Sequence, residues 1–542
     1  MRAQPPPSHA LPWLLGALVV AFGVPLGAEA PRVHALTDVK IVVAPGQVIA
    51  KGTVVLRDGV IEAVGAAVTP PPDARIWKFE NATVYPGLID LYSPRPWPKD
   101  DPADAKAAHP NPLVRPERSL APYVADDDKA GRYREAGFTT VLAVPADGLV
   151  RGRGALVNLG AGSAADNLLF ERFTQTVALD TSAEDGYPNS LMGAIALARQ
   201  TFLDAQWYQK AQEAYKRKPS QRRPPLDAAL TALGPAALGK ETVIFEAGDG
   251  GIDAILRAGG FAKELGLDAW IVGNGSEYQR LSLVEALGRP VVLPLNFPDT
   301  PTAGSDELDM ELDTLRHWDL APANPKALAG TKLKVAYSAF GLSTPKDLHK
   351  RLATAIGRGL TADQALAALT TIPAKLAGIE DRAGTLAVGK MANLIVVDGE
   401  LFQEATAIRE VWVDGERFEI KERKPAEVEP AGTWELTVDA GGQQIPATVE
   451  ITGKVPSLAG TMTVMGQKMT LSSVEVSGKA VEFSFEGGGA GMPGLFTLTM
   501  NLDGDRASGT GSGPPGPFTF RGQRTSSPAA DAPPQAPQEV SR

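Results

Sequence analysis

Cysteine is absent from this chain and histidine is scarce, with five in 542 residues. Without cysteine there is no disulfide, no thiolate metal site and no lipid anchor on a thiol. Basic blocks are missing too. No run of five or more Lys and Arg occurs and the formal net charge is −10, which weighs against nucleic acid as a partner. The densest basic patch, Lys216-Arg217-Lys218 with Arg222-Arg223, lies in a Pro-rich stretch and reads as a solvated loop. After Val24 no long apolar run remains, so the mature chain is expected to carry no membrane span.

A hydrophobic content of 44% and a charged content of 21% describe a globular protein, and the length suits two or three domains. At the start, Arg2 and His9 precede an apolar run from Leu11 to Val24, and Ala28-Glu29-Ala30 has the A-x-A form of a cleavage site. Residues 1–30 therefore read as a signal peptide, and the protein is expected to be exported, periplasmic or extracellular. An exported chain without disulfides relies on core burial, which this size permits.

Texture changes along the chain mark its organisation. Residues 31–85 are short strands and tight turns, with Asp58-Gly59 as a hairpin signal. Residues 86–379 alternate strands such as "TTVLAVPA" and "DAWIVG" with helices such as "GGIDAILRAGGFAKELGL", a βαβ pattern that argues for a parallel sheet with helices outside. Thr361 followed by Gln364 has the spacing of a capping box and opens a helix. Strands return over 380–422, and 423–432 is a charged, Pro-containing linker. Residues 433–524 alternate Trp434, Leu436 and Val438 with polar residues, as a small antiparallel barrel or sandwich would. The Pro- and Ala-rich tail, 525–542, is expected to be disordered.

Four segments in order resemble the amidohydrolase superfamily: "VVLRDGVIEAVG" with "NATVYPGLID", "AGFTTVLAVPADGLVRGRGALVNL", "GYPNSLMGAIALARQTFLDAQWY" and "GLTADQALAALTTIPAKLAGIEDRAGTLAVGKMANLIVVDG". The two middle segments are similar to its exported, imidazolonepropionase-like members, often labelled metal-dependent amidases or peptidases. The resemblance spans roughly residues 33–420. It implies a TIM-type (β/α)8 barrel at 86–379 and a composite β-sandwich from both flanks, 31–85 with 380–422, before the C-terminal all-β domain. Such a barrel opens its pocket at the C-terminal ends of its strands, so residues just after "YPGLID", "ALVN", "VIF", "WIV" and "VAYS" are expected to line it.

The resemblance also implies hydrolysis of C–N bonds, non-peptide or dipeptide, by one or two divalent metals held by four histidines, a bridging Lys or Glu and an Asp. Here the expected ligand positions carry other groups. Where the first His-x-His is expected, "PGLIDLYSPRP" has Tyr92 and Pro94. Asn158 takes the place of the bridging Lys in "GALVNL". Glu246 in "VIFEAGDG" and Asn274 in "WIVGNGSEY" stand at the third and fourth His positions. Ser338 begins the segment where the Asp is expected. Tyr92 would ligate only as phenolate and Pro94 has no donor atom. His9 is in the leader and His34 enters the first strand, which leaves His109, His317 and His349, none spaced as a chelating pair. No metal site is expected.

Glu246 and Asp90 are the candidates for remaining chemistry, Glu246 as a general base or with Asp90 as a residual ligand pair; the plainer readings are a Glu paired with Arg or Lys and an Asp that organises its strand end. Tyr92, Asn158, Asn274, Glu277, Tyr278 and Ser338 are expected around the pocket. His317 and Asp319, on a loop, would complete a Ser–His–Asp set with Ser338, although no nucleophile elbow surrounds that serine. Three readings stay open. In the first, a metal-free homologue binds a small polar molecule or an active amidohydrolase paralogue. In the second, an active C–N hydrolase uses a non-standard site around Glu246, with zinc as its cofactor. In the third, a structural envelope protein acts through its C-terminal domain.

Overall fold

The computed structural model describes residues 32–526 except 80, 99–108, 125–126, 180–185, 299–309, 404–405, 421–425, 441–442, 456, 488–494 and 514–515. The expected leader and almost all of the expected tail lie outside the described residues. The chain opens with β1 (Val33–Ala44), β2 (Gln47–Arg57), β3 (Val60–Gly65), β4 (Arg75–Lys78) and β5 (Ala82–Pro86). Asp58 and Gly59 both take left-handed backbone angles (φ 47° and 81°) and join β2 to β3 as the hairpin their sequence signals. A further left-handed residue, Asp38 (φ 62°), splits β1, which pairs with β4 before that point and with β5 after it.

Eight strands then build the central sheet: β6 (Leu88–Arg95), β7 (Phe138–Pro145), β8 (Val150–Asn158), β9 (Leu168–Ala178), β10 (Thr242–Glu246), β11 (Ala269–Val272), β12 (Val291–Pro294) and β13 (Val335–Ser338). They lie side by side in sequence order and curl into a nearly closed, TIM-like barrel. Strands β9 to β13 are parallel throughout, with helices between them. The helix Gly251–Leu265 is representative: Ile252, Ile255, Ala258, Ala262 and Leu265 bury one face, and Gly266 ends it in the left-handed conformation (φ 66°).

The expected eightfold βα repeat is corrected in the first half. Strand β8 runs antiparallel to both β7 and β9. Only residues 146–149 separate β7 from β8, enough for a hairpin but too few for the crossover that a parallel neighbour requires.

The chain returns to the first sheet with β14 (Leu394–Asp398), β15 (Ile408–Val413) and β16 (Glu416–Glu419), in the order β16-β15-β14-β5-β1-β2-β3 with β4 beside β1. Both flanks of the barrel thus share one sheet, around a core that includes Leu36, Ile41, Val84, Leu394 and Trp412. Ahead of it, the Thr361–Gln364 capping box forms as expected, with both reciprocal bonds made (3.0 and 3.1 Å).

The C-terminal domain is a closed antiparallel barrel and not a sandwich: β17 (Gly432–Ala440), β18 (Gln443–Lys454), β19 (Ser457–Val464), β20 (Gln467–Ser477), β21 (Ala480–Glu486), β22 (Leu495–Asp503), β23 (Arg506–Gly513) and β24 (Gly516–Ser526). Trp434, Val449, Phe483, Met500 and Phe520 fill its interior. Glycine on β23 makes room for that filling. A Cβ on Gly509 would stand 2.0 Å from the Thr499 carbonyl oxygen and 2.5 Å from the Phe520 ring. Gly509→Ala should therefore cost about 1–3 kcal/mol through overpacking. A thermal melt that leaves the variant level with the parent would contradict this packing. Among the described residues no helix is long and apolar enough to cross a membrane.

Candidate functional site

Because β9 to β13 are parallel, their C-terminal ends meet at one mouth. A cavity of about 550 Å³ opens there, with Ala178, Glu246, Asn274, Pro294 and Phe340 in its wall, contributed by the ends of these five strands or the turns after them. This is where the barrel reading places a pocket. Arg257, from the second turn of the helix Gly251–Leu265, and Asn296 complete the polar lining.

Three side chains cluster at the base of this mouth. Glu246 ends β10. Its Oε2 accepts a hydrogen bond from the Tyr92 hydroxyl on β6 and another from Arg151 Nη1 on β8 (2.7 Å), and Arg151 Nη1 also lies 3.3 Å from the Tyr92 oxygen. Arg151 is only 5% exposed. Burial first, and then the charge of Glu246, push the Tyr92 phenol well above its ordinary range, so it remains protonated and donates. The cation facing Glu246 is therefore a guanidinium, and Tyr92 beside it belongs to an apolar cluster that includes Val144, Leu156 and Ile244.

Asp90 and Ser338 work at the seam. No backbone ladder joins β13 to β6 among the described residues. Side chains bridge the gap instead. Asp90 Oδ1 accepts from the Tyr92 backbone N–H and Oδ2 from that of Ala339, both at 2.9 Å, while the Ser338 hydroxyl donates to the Tyr92 carbonyl (3.1 Å). Asp90 is fully buried, and burial pushes its carboxyl up to about 6 against the opposing pull of those backbone donors. Nearby Lys129 is pulled down to about 8, again chiefly by burial, and donates to the Pro94 carbonyl.

Most of the other expected pocket residues lie outside the lining. Asn158 is corrected most: because β8 runs backwards, its last residue sits at the base of the barrel. There the Asn158 amide donates to Asp414 (2.6 Å) and its oxygen accepts from Thr140 (2.8 Å). Asn274 does reach the cavity, but its amide group is spent on the Gly248 and Gly251 carbonyls (2.8 and 2.9 Å). Glu277 is wholly buried off the pocket, accepting from Asn324 (2.6 Å) and the Asn274 backbone (3.1 Å), with burial raising its carboxyl. Tyr278 stacks on His317, hydroxyl to Nδ1 at 3.1 Å. Tyr92 and Ser338 lie beneath the lining rather than in it.

Ser338, His317 and Asp319 do not assemble into a set, each being bonded to a different partner. His317 lies in the helix Leu312–Leu320, not on a loop, and Asp319 pairs with Arg358 (2.9 Å). The other described histidines are engaged with other partners. His34 accepts from Trp77 (3.2 Å), His109 from the Asn111 backbone (3.1 Å), and His349 meets the Ala136 carbonyl (2.9 Å). Among the described residues no three His, Cys, Asp or Glu side chains come together as a metal-holding group.

Sequence reasoning missed Arg151 and Arg257. The signal for Arg151 was present in "LVRGRGALVN". A charged residue inside a strand buried along its whole length needs a buried partner. Arg153, two residues on, obeys the same rule with Glu241 (2.9 Å). Arg257 carried no signal, being one arginine on an amphipathic helix.

Comparison with known proteins agrees with the fold. Residues 331–418 match the family described as "Amidohydrolase family". An amidohydrolase from Thermotoga maritima superposes with a TM-score of 0.59 at 21% identity, covering 71% of this chain and 100% of that one. A beta-aspartyl dipeptidase from Fervidobacterium islandicum, in complex with a beta-Asp-Leu dipeptide, gives 0.38 at 15% identity, covering 74% and 100%. A dihydropyrimidinase from Brevibacillus agri gives 0.38 at 12%, covering 71% and 94%. The last two superpose too loosely to carry an argument. No curated protein matches the chain. The resemblance to the amidohydrolase superfamily thus stands on the sequence of residues 331–418 and on the fold.

Proposed function

We propose that this chain, an amidohydrolase-superfamily relative of the exported, imidazolonepropionase-like kind, has given up metal-dependent hydrolysis and binds a small polar molecule at its barrel mouth, in the periplasm or outside the cell. One observation carries this reading: Arg151 lies 2.7 Å from Glu246, so the carboxylate at a former ligand position already has its cation. The other donors fit a divalent ion no better. Zinc and similar ions take neutral imidazole, thiolate or carboxylate. Here the phenol of Tyr92 is held protonated, Pro94 contributes a carbonyl already taken by Lys129, and the Asn274 amide is bound to backbone.

The test is elemental analysis of the full-length protein after incubation with zinc or manganese and removal of excess ion. The expected result is far less than one ion per chain, together with no cleavage of dipeptide or cyclic amide substrates. A stoichiometric ion with turnover would restore the second reading, a hydrolase built around Glu246.

A further inference from the structure

The barrel-mouth cavity carries an arginine that the fold leaves unpaired among the described residues, Arg257, and a carboxylate paired through one oxygen only, Glu246. Glu246 receives both of its hydrogen bonds on Oε2, and its Oε1 accepts none among the described residues. Arg257 makes no hydrogen bond or ion pair among the described residues. Its guanidinium folds back toward the start of its own helix, with Nη1 3.9 Å from where a Cβ on Gly250 would stand. Both residues line the same cavity of about 550 Å³. Solvated surface charges often go unpaired without meaning. An acceptor and a cation left open in one concave site are different, since a ligand that fails to meet both leaves one of them desolvated.

The charge balance narrows the ligand. The lining contributes Glu246, Asp249 and Arg257, and Arg151 stands directly behind Glu246. Two acids and two bases cancel, so the mouth gains little from a net anion or a net cation. A molecule that carries both signs satisfies it. Leu179, Leu191, Pro294 and Phe340 supply an apolar wall for the remainder of such a molecule.

The geometry points to a zwitterionic ligand, a free amino acid or short peptide with an apolar side chain, its ammonium on Glu246 Oε1 and its carboxylate on Arg257. This rests on the binding role proposed above and names its ligand class.

Calorimetric titration of the full chain at neutral pH tests it with L-leucine and L-leucyl-L-leucine as zwitterions, leucinamide as the cation, N-acetyl-leucine as the anion and N-acetyl-leucinamide as the neutral form. At least one zwitterion should bind about tenfold or more tighter than every blocked form, since each block strands a part-buried partner. Whichever zwitterion binds better reports the spacing between the two groups. Arg257→Gln should weaken the zwitterion and N-acetyl-leucine about tenfold and leave leucinamide unchanged. The inference is overturned if blocked forms bind as well as zwitterions, if no form binds, or if R257Q binds like the parent. The series on the parent protein decides the matter even if the variant folds poorly. Metal content measured on the same sample separates the two claims. A metal-free protein that ignores zwitterions sinks the ligand class alone, and a metal-loaded protein that cleaves the dipeptide sinks the metal-free reading alone.

Discussion

Arg151→Met should destabilise the protein by about 3 kcal/mol, because it leaves the part-buried Glu246 carboxylate without its counter-charge. Breaking a buried pair from one side costs more than the pair itself contributes, since the surviving charge has lost water and gained nothing in return. Glu246 keeps 19% of its side-chain exposure, against 6% for Arg151, which places the expected cost at the low end for buried pairs. Adding Glu246→Gln removes the stranded charge, and Tyr92 can still donate to the new amide oxygen. The double variant should therefore recover more than half of the loss. Denaturant unfolding of parent, both single variants and the double variant closes the cycle. If R151M unfolds with the parent, Arg151 is not the cation that Glu246 depends on, and the argument against a metal loses its support.

Asp90→Ala should change stability in a pH-dependent way that isolates the barrel seam. At about pH 4 the variant should lose on the order of 3 kcal/mol, since the buried N–H groups of Tyr92 and Ala339 are left without an acceptor. The sign of the pH dependence follows from Asp90 being raised to about 6 from an ordinary value of 3.8. A raised carboxyl holds its proton more tightly when folded. Its stabilising contribution is complete below the unfolded value and is lost as pH climbs through the folded one. Between about pH 4 and pH 7 the parent should thus give up on the order of 3 kcal/mol that the alanine variant never had, and the gap between them should nearly close. Thermal melts of both proteins across that range measure the difference directly. A gap that widens toward neutral pH would mean that Asp90 is stabilised as an anion, with Lys129 as its partner.

Particular residues show where sequence reading succeeded. Asp58-Gly59 and the Thr361–Gln364 box were legible because each is a local device. The left-handed angles of the one and the reciprocal bonds of the other need only a few neighbouring residues. Glu246 and Asn274 lie at the mouth because β10 and β11 each run parallel to the strand before them, so a residue at or just past the end of the apolar run is at the open end. The same rule misplaced Asn158, because it assumed a direction for β8 that the short connection from β7 forbids.

The amino-acid sequence alone determined the inventory of this protein: no thiol, five histidines with none at the positions where the resemblance expects a ligand, a βα texture between two flanking β segments, and a second β domain at the end. Composition and periodicity are properties of the chain itself, so they survive any arrangement of the parts. What tertiary structure alone decided is which groups meet. Glu246 could be read as a base or as a paired acid until the reversed β8 brought Arg151 to it from the far side of β9, and the polarity of Asp90 became a seam only once β13 came round to β6. Electrostatic pairing and desolvation depend on distances between residues far apart in sequence, here 95 positions for Arg151 and Glu246, and no local pattern encodes such a distance.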